Sequence, residues 1–205
     1  MNRCLVCDKN MEDNFNNLFN GECKVCCECS NKIKVRNDKF IINGCKGLIL
    51  YYYNDFFKDV LFRYKGLGDY LLKDIFFVCN LEKLKRKYKG YKIVVAPSNS
   101  EEEEKRGFCH LEEIFKSFNL EIIKCFKKDV KWKQSDKKLV ERSNIQNVIK
   151  IDKRSLKGVK KVVLVDDVLT SGSTIKTMIS QIPANISKKV LILSSNCRIL
   201  RNEIV

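Results

Sequence analysis

The sequence predicts an α/β fold: a parallel sheet flanked by helices, with a small cysteine-rich module in front of it. Three observations predict it. Short apolar runs recur at Ile93-Val94-Val95-Ala96, Val162-Val163-Leu164-Val165 and Val190-Leu191-Ile192-Leu193, as suits strands buried on both faces. Between them apolar residues return at helical spacing, and strands alternating with helices build a parallel sheet. Cysteines near the N-terminus come in pairs two residues apart, at Cys4/Cys7 and within Cys23-Lys24-Val25-Cys26-Cys27-Glu28-Cys29.

Length and composition bound the answer. A chain of 205 residues suits one domain plus an appendage, and 44% hydrophobic residues can fill a core. No apolar run reaches the ~18 residues of a membrane span, so none is expected. Met1-Asn2-Arg3-Cys4 lacks the apolar core of a signal peptide, and a cytoplasmic location is expected. In that compartment thiols stay reduced, so clustered cysteines among the 11 present point to metal rather than to disulfides. The balance of 40 Lys+Arg against 25 Asp+Glu gives a net charge of +15. It predicts attraction to polyanions, nucleic acid first among them; a lysine-rich composition overall is the other source of the same number.

Residues 1–45 read as the small module. Two knuckles of the C-x₂-C type about twenty residues apart are the pattern of a tetrahedral structural Zn²⁺ site. Cys4, Cys7, Cys26 and Cys29 are the expected ligands, with Cys23 and Cys27 as spare thiols, either of which could stand in for one of them. Four thiolates close the coordination sphere, which argues against a catalytic metal. So small a segment draws much of its folding energy from the ion. Ile33 is placed to pack beneath the second knuckle, and the remaining cysteines are scattered.

Residues 46–205 read as the main domain. Gly47–Tyr53 is a strand. Asn54-Asp55 caps a helix in which Phe57, Val60, Leu61 and Tyr64 share a face. Lys65, beside Gly66 and Gly68, is either a phosphate contact or a solvated lysine in a helix-ending turn. A longer helix is expected from near Asp69 towards Lys89. Its end carries Lys83, Lys85, Arg86, Lys87, Lys89 and Lys92 with Tyr88 and Tyr91 between them. Lysines neutralise phosphates and tyrosine faces stack on bases, so this stretch suits single-stranded nucleic acid. A solvated helix end rich in cations reads the same way in sequence. Glu101–Glu104 begin another helix, and Leu111, Ile114, Phe115 and Phe118 mark the next; Glu121–Phe126 is a strand. His110, the sole histidine, reads as a loop or helix-cap residue. Lys127–Lys138 is polar and basic and holds the only tryptophan, Trp132, which either stacks a base or pins a long loop.

The most informative stretch is 162–174. A buried strand, Val162–Val165, ends at Asp166-Asp167; Thr170-Ser171-Gly172-Ser173-Thr174 makes a hydroxyl-rich turn; Ile175, Met178, Ile179 and Ile182 then form a helical stripe. Such a turn offers N–H groups at a helix N-terminus to a phosphate, while the carboxylates accept hydrogen bonds from sugar hydroxyls. One loop can therefore hold a sugar phosphate by both ends.

This stretch resembles the PRPP-binding motif of type I phosphoribosyltransferases. The resemblance implies that Asp166 and Asp167 hold the ribose hydroxyls, that Thr170, Ser171, Gly172, Ser173 and Thr174 hold the 5-phosphate, and that Mg²⁺ accompanies the pyrophosphate. The fold it implies is a type I phosphoribosyltransferase-like parallel sheet flanked by helices, here behind an N-terminal Cys₄ zinc finger. In enzymes of this type a flexible loop, in the region of Lys127–Lys138, closes over the substrate.

Over nearly the whole chain the order of motifs resembles the ComF/ComFC competence-protein family. The motifs are the cysteine knuckles, the Lys65-Gly66 turn, Val95-Ala96-Pro97, Arg106-Gly107-Phe108, Gln134, Glu141-Arg142, Asn147-Val148 and the PRPP loop. The chain departs from the family where Val95-Ala96-Pro97 stands for Pro-Val-Pro, with one proline missing, and where Cys109-His110 replaces Asn-Gln. The resemblance implies a DNA-uptake factor that binds single-stranded DNA and works with an ATP-dependent DNA translocase of the competence machinery. An active phosphoribosyltransferase, moving ribose 5-phosphate from PRPP to an acceptor, is the other expectation. No residue set specific for one base is evident.

Overall fold

A computed structural model describes residues 3–11, 24–77, 80–128 and 149–196. The main sheet opens with an antiparallel hairpin, β1 (Val35–Ile42) and β2 (Cys45–Tyr52). The short helix α1 (Cys27–Lys32) precedes it. Asn54 caps the helix that follows the hairpin, its side chain accepting from the Phe57 N–H at 2.9 Å. That helix, α2 (Asp55–Gly66), buries Phe57, Val60, Leu61 and Tyr64, the face marked by their spacing.

The long helix expected from Asp69 to Lys89 does not form. A 3₁₀ segment covers Tyr70–Phe77, and a separate α3 spans Leu81–Lys87. Ile75, Phe76 and Phe77 are all buried, and three consecutive buried residues exceed one α-helical face. Tyr51 fixes the segment by donating its hydroxyl to the Phe76 carbonyl at 2.6 Å.

Next come β3 (Lys92–Val95), α4 (Ser100–Arg106) and α5 (His110–Phe115). The single strand expected over Glu121–Phe126 is divided. Its first part, β4 (Ile122–Ile123), joins the main sheet, whereas β5 (Phe126–Lys128) pairs with β6 (Ile149–Ile151) in a separate two-stranded sheet. The chain then forms β7 (Lys161–Leu169), α6 (Ser173–Gln181) and β8 (Ser187–Ser195).

The main sheet runs β1-β2-β8-β7-β3-β4, parallel throughout except for β1. Val162–Val165 and Val190–Leu193 lie at its centre and are fully buried. This is the α/β architecture expected from the sequence, with a mostly parallel sheet between helices. The acidic pair, however, does not end its strand. β7 continues through Asp166 and Asp167 to Leu169, because β8 stays in register with it as far as Leu169 opposite Ser195.

The topology itself marks a binding position. From β3 the chain moves outward to β4; from the adjacent β7 it turns the other way, to β8. Neighbouring parallel strands whose connections leave in opposite directions open a crevice at their carboxyl ends. The β3 connection supplies α4 there, and the β7 connection supplies residues 170–172.

The β1–β2 hairpin crosses the expected boundary at residue 45, pairing residues 35–42 with 45–52. Cys4, Val25 and Cys29 are buried in the same apolar cluster as the sheet. Among the described residues no helix is long and apolar enough to cross a membrane.

Gly47 faces Phe40 across the hairpin, and a Cβ built on it would lie 2.3 Å from the Phe40 ring. Phe40 is 2% exposed and cannot swing away into solvent. Gly47→Ala is expected to destabilise the protein by about 1–3 kcal/mol, read as a lower urea midpoint at unchanged slope.

Candidate functional site

Asp167 is the centre of the crevice, and its side chain is 8% exposed. Its Oδ1 accepts from the Val168 N–H at 2.7 Å, while Oδ2 accepts from Lys65 Nζ at 2.6 Å and lies 3.1 Å from His110 Nε2. Burial opposes the charge of Asp167, but the His110 hydrogen bond and the Lys65 ammonium outweigh it and hold the carboxyl well below its ordinary range. Burial likewise opposes the charge of Lys65, and Asp167 more than restores it. For Asp166 the balance reverses. Burial and the adjacent Asp167 charge raise its carboxyl to about 8, although it accepts the Asp167 N–H at 2.9 Å. The two neighbouring carboxylates thus differ in charge near neutral pH.

Two side chains at this centre have no periodic or spacing signal in the sequence. Arg106 donates Nη1 to the Lys65 carbonyl at 2.6 Å and Nε to the Phe108 carbonyl at 3.2 Å. His110, read from sequence as a loop or cap residue, is instead the first residue of α5 and is 2% exposed. Burial depresses its pKa against the pull of Asp167, which favours the neutral ring. The only available signal for either was its place in or beside Arg106-Gly107-Phe108.

Residues 170–174 follow β7 into α6. Gly172 adopts φ 71°, a left-handed conformation that glycine takes without strain, and α6 starts at the next residue. Ser171 and Ser173 hydroxyls lie 2.8 Å apart, and the N-terminus of α6 opens on this turn. Thr170, Asp167, Lys65 and Arg106 line one cleft of about 1060 Å³. Its other wall is the exposed stripe of α2, including Asp55, Asp59 and Phe62. Of the residues expected to bind PRPP, the structure therefore brings Lys65, Asp167 and Thr170 to one cavity. Asp166 adjoins them, and Ser171, Gly172, Ser173 and Thr174 follow in the turn.

The expected nucleic-acid residues lie elsewhere. Lys83, Lys85, Arg86 and Lys87 are on α3, and Lys89 is in the turn after it. Lys87 lies near the amino edge of the sheet, where Lys161 begins β7 and Lys189 lies near the start of β8. Lys189 Nζ is 4.7 Å and Lys161 Nζ 5.9 Å from the Tyr91 ring centre, and Lys87 Nζ is 5.5 Å from that of Tyr88. Burial and the nearby Lys189, Lys39 and Lys83 charges lower the Lys87 pKa. Two details differ from expectation. Tyr88 is 1% exposed and offers no stacking face, and Lys85 is paired with Glu82 at 2.9 Å. Trp132 lies outside the described residues, as do Gln134, Glu141, Arg142, Asn147 and Val148.

At the N-terminus the sulfurs of Cys4, Cys7, Cys26 and Cys29 all lie within 4.8 Å of one another. Tetrahedral Zn–S bonds of ~2.3 Å imply sulfurs about 3.8 Å apart, and Cys7 and Cys26 are at 3.7 Å. The Cys26 N–H donates to Cys4 Sγ at 3.3 Å, the kind of outer contact that orients a thiolate ligand. Burial opposes ionisation of Cys4, but N–H groups of Cys26, Cys7 and Val6 outweigh it and bring the thiol to about 6. Burial pushes Cys29 up, helped by the sulfurs beside it. Thiols packed so closely cannot all ionise without a cation among them, so the set fits a metal such as Zn²⁺. Cys27 is exposed and outside the group, and Cys23 lies outside the described residues. Arg63 of α2 ties this N-terminal segment to the helix, donating to the Val6 carbonyl at 2.7 Å as well as to Asp69 at 2.9 Å.

The class defined by fold and site is an open α/β protein with an acidic pair and a hydroxyl-rich turn at its switch point, joined to a four-cysteine module. No family model matches the chain. It is similar to the competence protein ComFC of Streptococcus pneumoniae (strain ATCC BAA-255 / R6), 33% identical over 132 residues. The match spans 64% of this chain and 59% of that relative's length, in line with the resemblance read from the motifs. Looser likenesses link it to solved structures. One is an adenine phosphoribosyltransferase at 15% identity and TM-score 0.42, covering 82% of this chain and 89% of that one. Another is the adenine phosphoribosyltransferase of Saccharomyces cerevisiae at 15% and 0.41, covering 83% and 89%. A third is a hypoxanthine phosphoribosyltransferase of Staphylococcus aureus at 14% and 0.36, covering 72% of each chain.

Two outcomes are expected from this geometry. Purified protein should release about one zinc per chain to a thiol-reactive reagent, with Cys4→Ser losing the metal and Cys27→Ser keeping it. Asp166 keeps its proton in the fold at pH values where the unfolded chain has lost it, so its contribution to stability falls as pH rises from about 4 to about 8. Asp166→Asn, which still accepts the Asp167 N–H, should raise the melting midpoint more at pH 8 than at pH 5.

Proposed function

We propose that this protein is a competence-type DNA-uptake factor that binds a sugar phosphate of the PRPP kind in the cleft and single-stranded DNA on the lysine face. The observation that carries the sugar-phosphate reading is the convergence of Asp167, Lys65, Arg106 and Thr170 on one cleft at the switch point. The carboxylates accept from a ribose diol, the turn 170–174 gives N–H and O–H donors to the 5-phosphate, and Lys65 and Arg106 offer positive charge to a second anionic group. Mg²⁺ fits as a companion of the ligand's pyrophosphate, whose charge it neutralises. Asp167 already has both oxygens engaged by donors of the protein.

The DNA reading is supported by similarity to a competence protein, by the +15 charge and by the grouping of Lys87, Lys161 and Lys189 about Tyr88 and Tyr91. Lys83, Arg86, Lys87 and Lys89 would track phosphates from α3 and its turn, with Tyr91 as the aromatic element. Trp132 remains a candidate for base stacking. An ATP-dependent DNA translocase is the partner this role calls for, in the cytoplasm where single-stranded DNA emerges.

Transfer of the ribose 5-phosphate to an acceptor is the second reading. It is favoured by the cleft's volume, which leaves room beyond a sugar phosphate, along α2.

One experiment separates the parts. Fluorescence anisotropy with single-stranded DNA should show tight binding with a steep salt slope. Lys87→Ala with Lys189→Ala should make that slope shallower by about 1.4, since each lysine that neutralises a phosphate adds ~0.7 on a single strand. Asp166→Asn with Asp167→Asn should abolish calorimetric binding of Mg²⁺–PRPP and leave DNA affinity within about twofold. Loss of both in a folded double variant would sink the two-site reading.

A further inference from the structure

The Asp167 carboxylate has two side-chain partners on the same oxygen, and they differ in every respect that matters for a ligand. Lys65 Nζ reaches Oδ2 from the cleft: the side chain is 36% exposed and lines the cavity. His110 Nε2 reaches Oδ2 from behind: the ring is 2% exposed and is not part of the cleft wall. A ligand's anionic group competes for Lys65, whose long stem lets the ammonium move. Nothing that enters the cleft competes for His110.

His110 is also held in place. Tyr64 of α2 donates its hydroxyl to the His110 carbonyl at 2.8 Å, and Tyr64 packs on Phe108, with ring centres 5.4 Å apart. Arg106 ties the Lys65 carbonyl to the same short segment. The imidazole meets Asp167 on one side. Lys65 and Arg106 are the cations near it, and Glu103 of α4 is a further acid within electrostatic reach. Nδ1 is buried without a hydrogen-bond partner among the described residues. A neutral ring facing a carboxylate carries its proton on Nε2, so His110 acts here as a single N–H donor.

We propose that His110 is a positioning residue for Asp167: its N–H bond from outside the cleft keeps the carboxylate aimed at a ligand's diol while Lys65 exchanges its ion pair for the ligand's anionic group. This rests on the sugar-phosphate reading of the cleft. Without His110, drawing Lys65 away would leave Asp167 a buried charge with only the Val168 N–H on its other oxygen, and the carboxylate would turn or take up a proton. With it, charge and direction persist through the exchange. A glutamine at this position has a side-chain N–H of similar reach and should do the same work. Leucine fills the space and gives no donor.

The test uses the full chain and two readouts, with Mg²⁺–PRPP as the probe. Calorimetry should give binding to the wild type, a loss of about tenfold or more in His110→Leu, and an affinity within about threefold of wild type in His110→Gln. Carbon-13 NMR of the aspartate carboxyls, with no ligand added, should show the Asp167 titration moved upward in His110→Leu and returned in His110→Gln. Thermal melts confirm that both variants are folded. Wild-type affinity in His110→Leu, or an Asp167 titration indifferent to the substitution, overturns the proposal and leaves the sugar-phosphate site standing. A folded His110→Gln as weak as His110→Leu overturns it too, because packing rather than the donor would then matter. Absence of any Mg²⁺–PRPP binding to the wild type would overturn this inference together with the reading it rests on.

Discussion

The charge of Asp167, buried beside the sheet, is answered only in part from its own strand, by the Val168 N–H. Asp167 projects from β7, and its side-chain partners come from α2 and from α5, 102 and 57 residues away in sequence. Removing one partner of a buried ion pair costs far more than such a pair contributes over a well-packed apolar substitute, because the other charge is stranded. The carboxylate therefore acts as a clamp on the ends of two helices. Tyr64 on His110 and Arg106 on Lys65 close the same ring of elements through backbone carbonyls. The crevice at the switch point owes its shape to this set of contacts as much as to the sheet.

The parts of the fold with a local cause were legible in the sequence. β7 and β8 are apolar over four consecutive residues, and both runs are buried throughout. The Asn54 cap and the stripe of α2 came from residues within one or two turns of each other. The four-cysteine set was legible because a two-residue spacer fixes which sulfurs can share a point, and the alternatives at Cys23 and Cys27 arose from overlapping spacers. Elements whose limits are set by distant contacts were read less well. Nothing local says that β8 carries β7 on past the acidic pair, or that the Tyr51 hydroxyl holds Phe76 in a tighter spiral than an α-helix.

The same distinction runs through the site. The acidic pair and the hydroxyl-rich turn are contiguous, and so they announce themselves. Arg106 and His110 matter only because of where α4 and α5 lie relative to β7, and a lone histidine has no spacing to betray it. Tyr88 is the converse case. Interleaved with lysines it looked like a stacking surface, but at helical spacing from Leu84 it faces inward with it. Periodicity tells which residues share a face; which face meets solvent depends on what packs on top.

β7 begins at Lys161 among the lysines and reaches Asp167 six residues later, about 20 Å along an extended strand. That interval works as a spacer. In the proposed function, a sugar phosphate at the carboxyl edge would stop well short of a polymer across the amino edge, so the two would not compete for space. β7 and its neighbour β8, the central pair of the sheet, span both edges. The proposed pair of sites would let one end carry a strand of polyanion while the other samples the supply of a small metabolite.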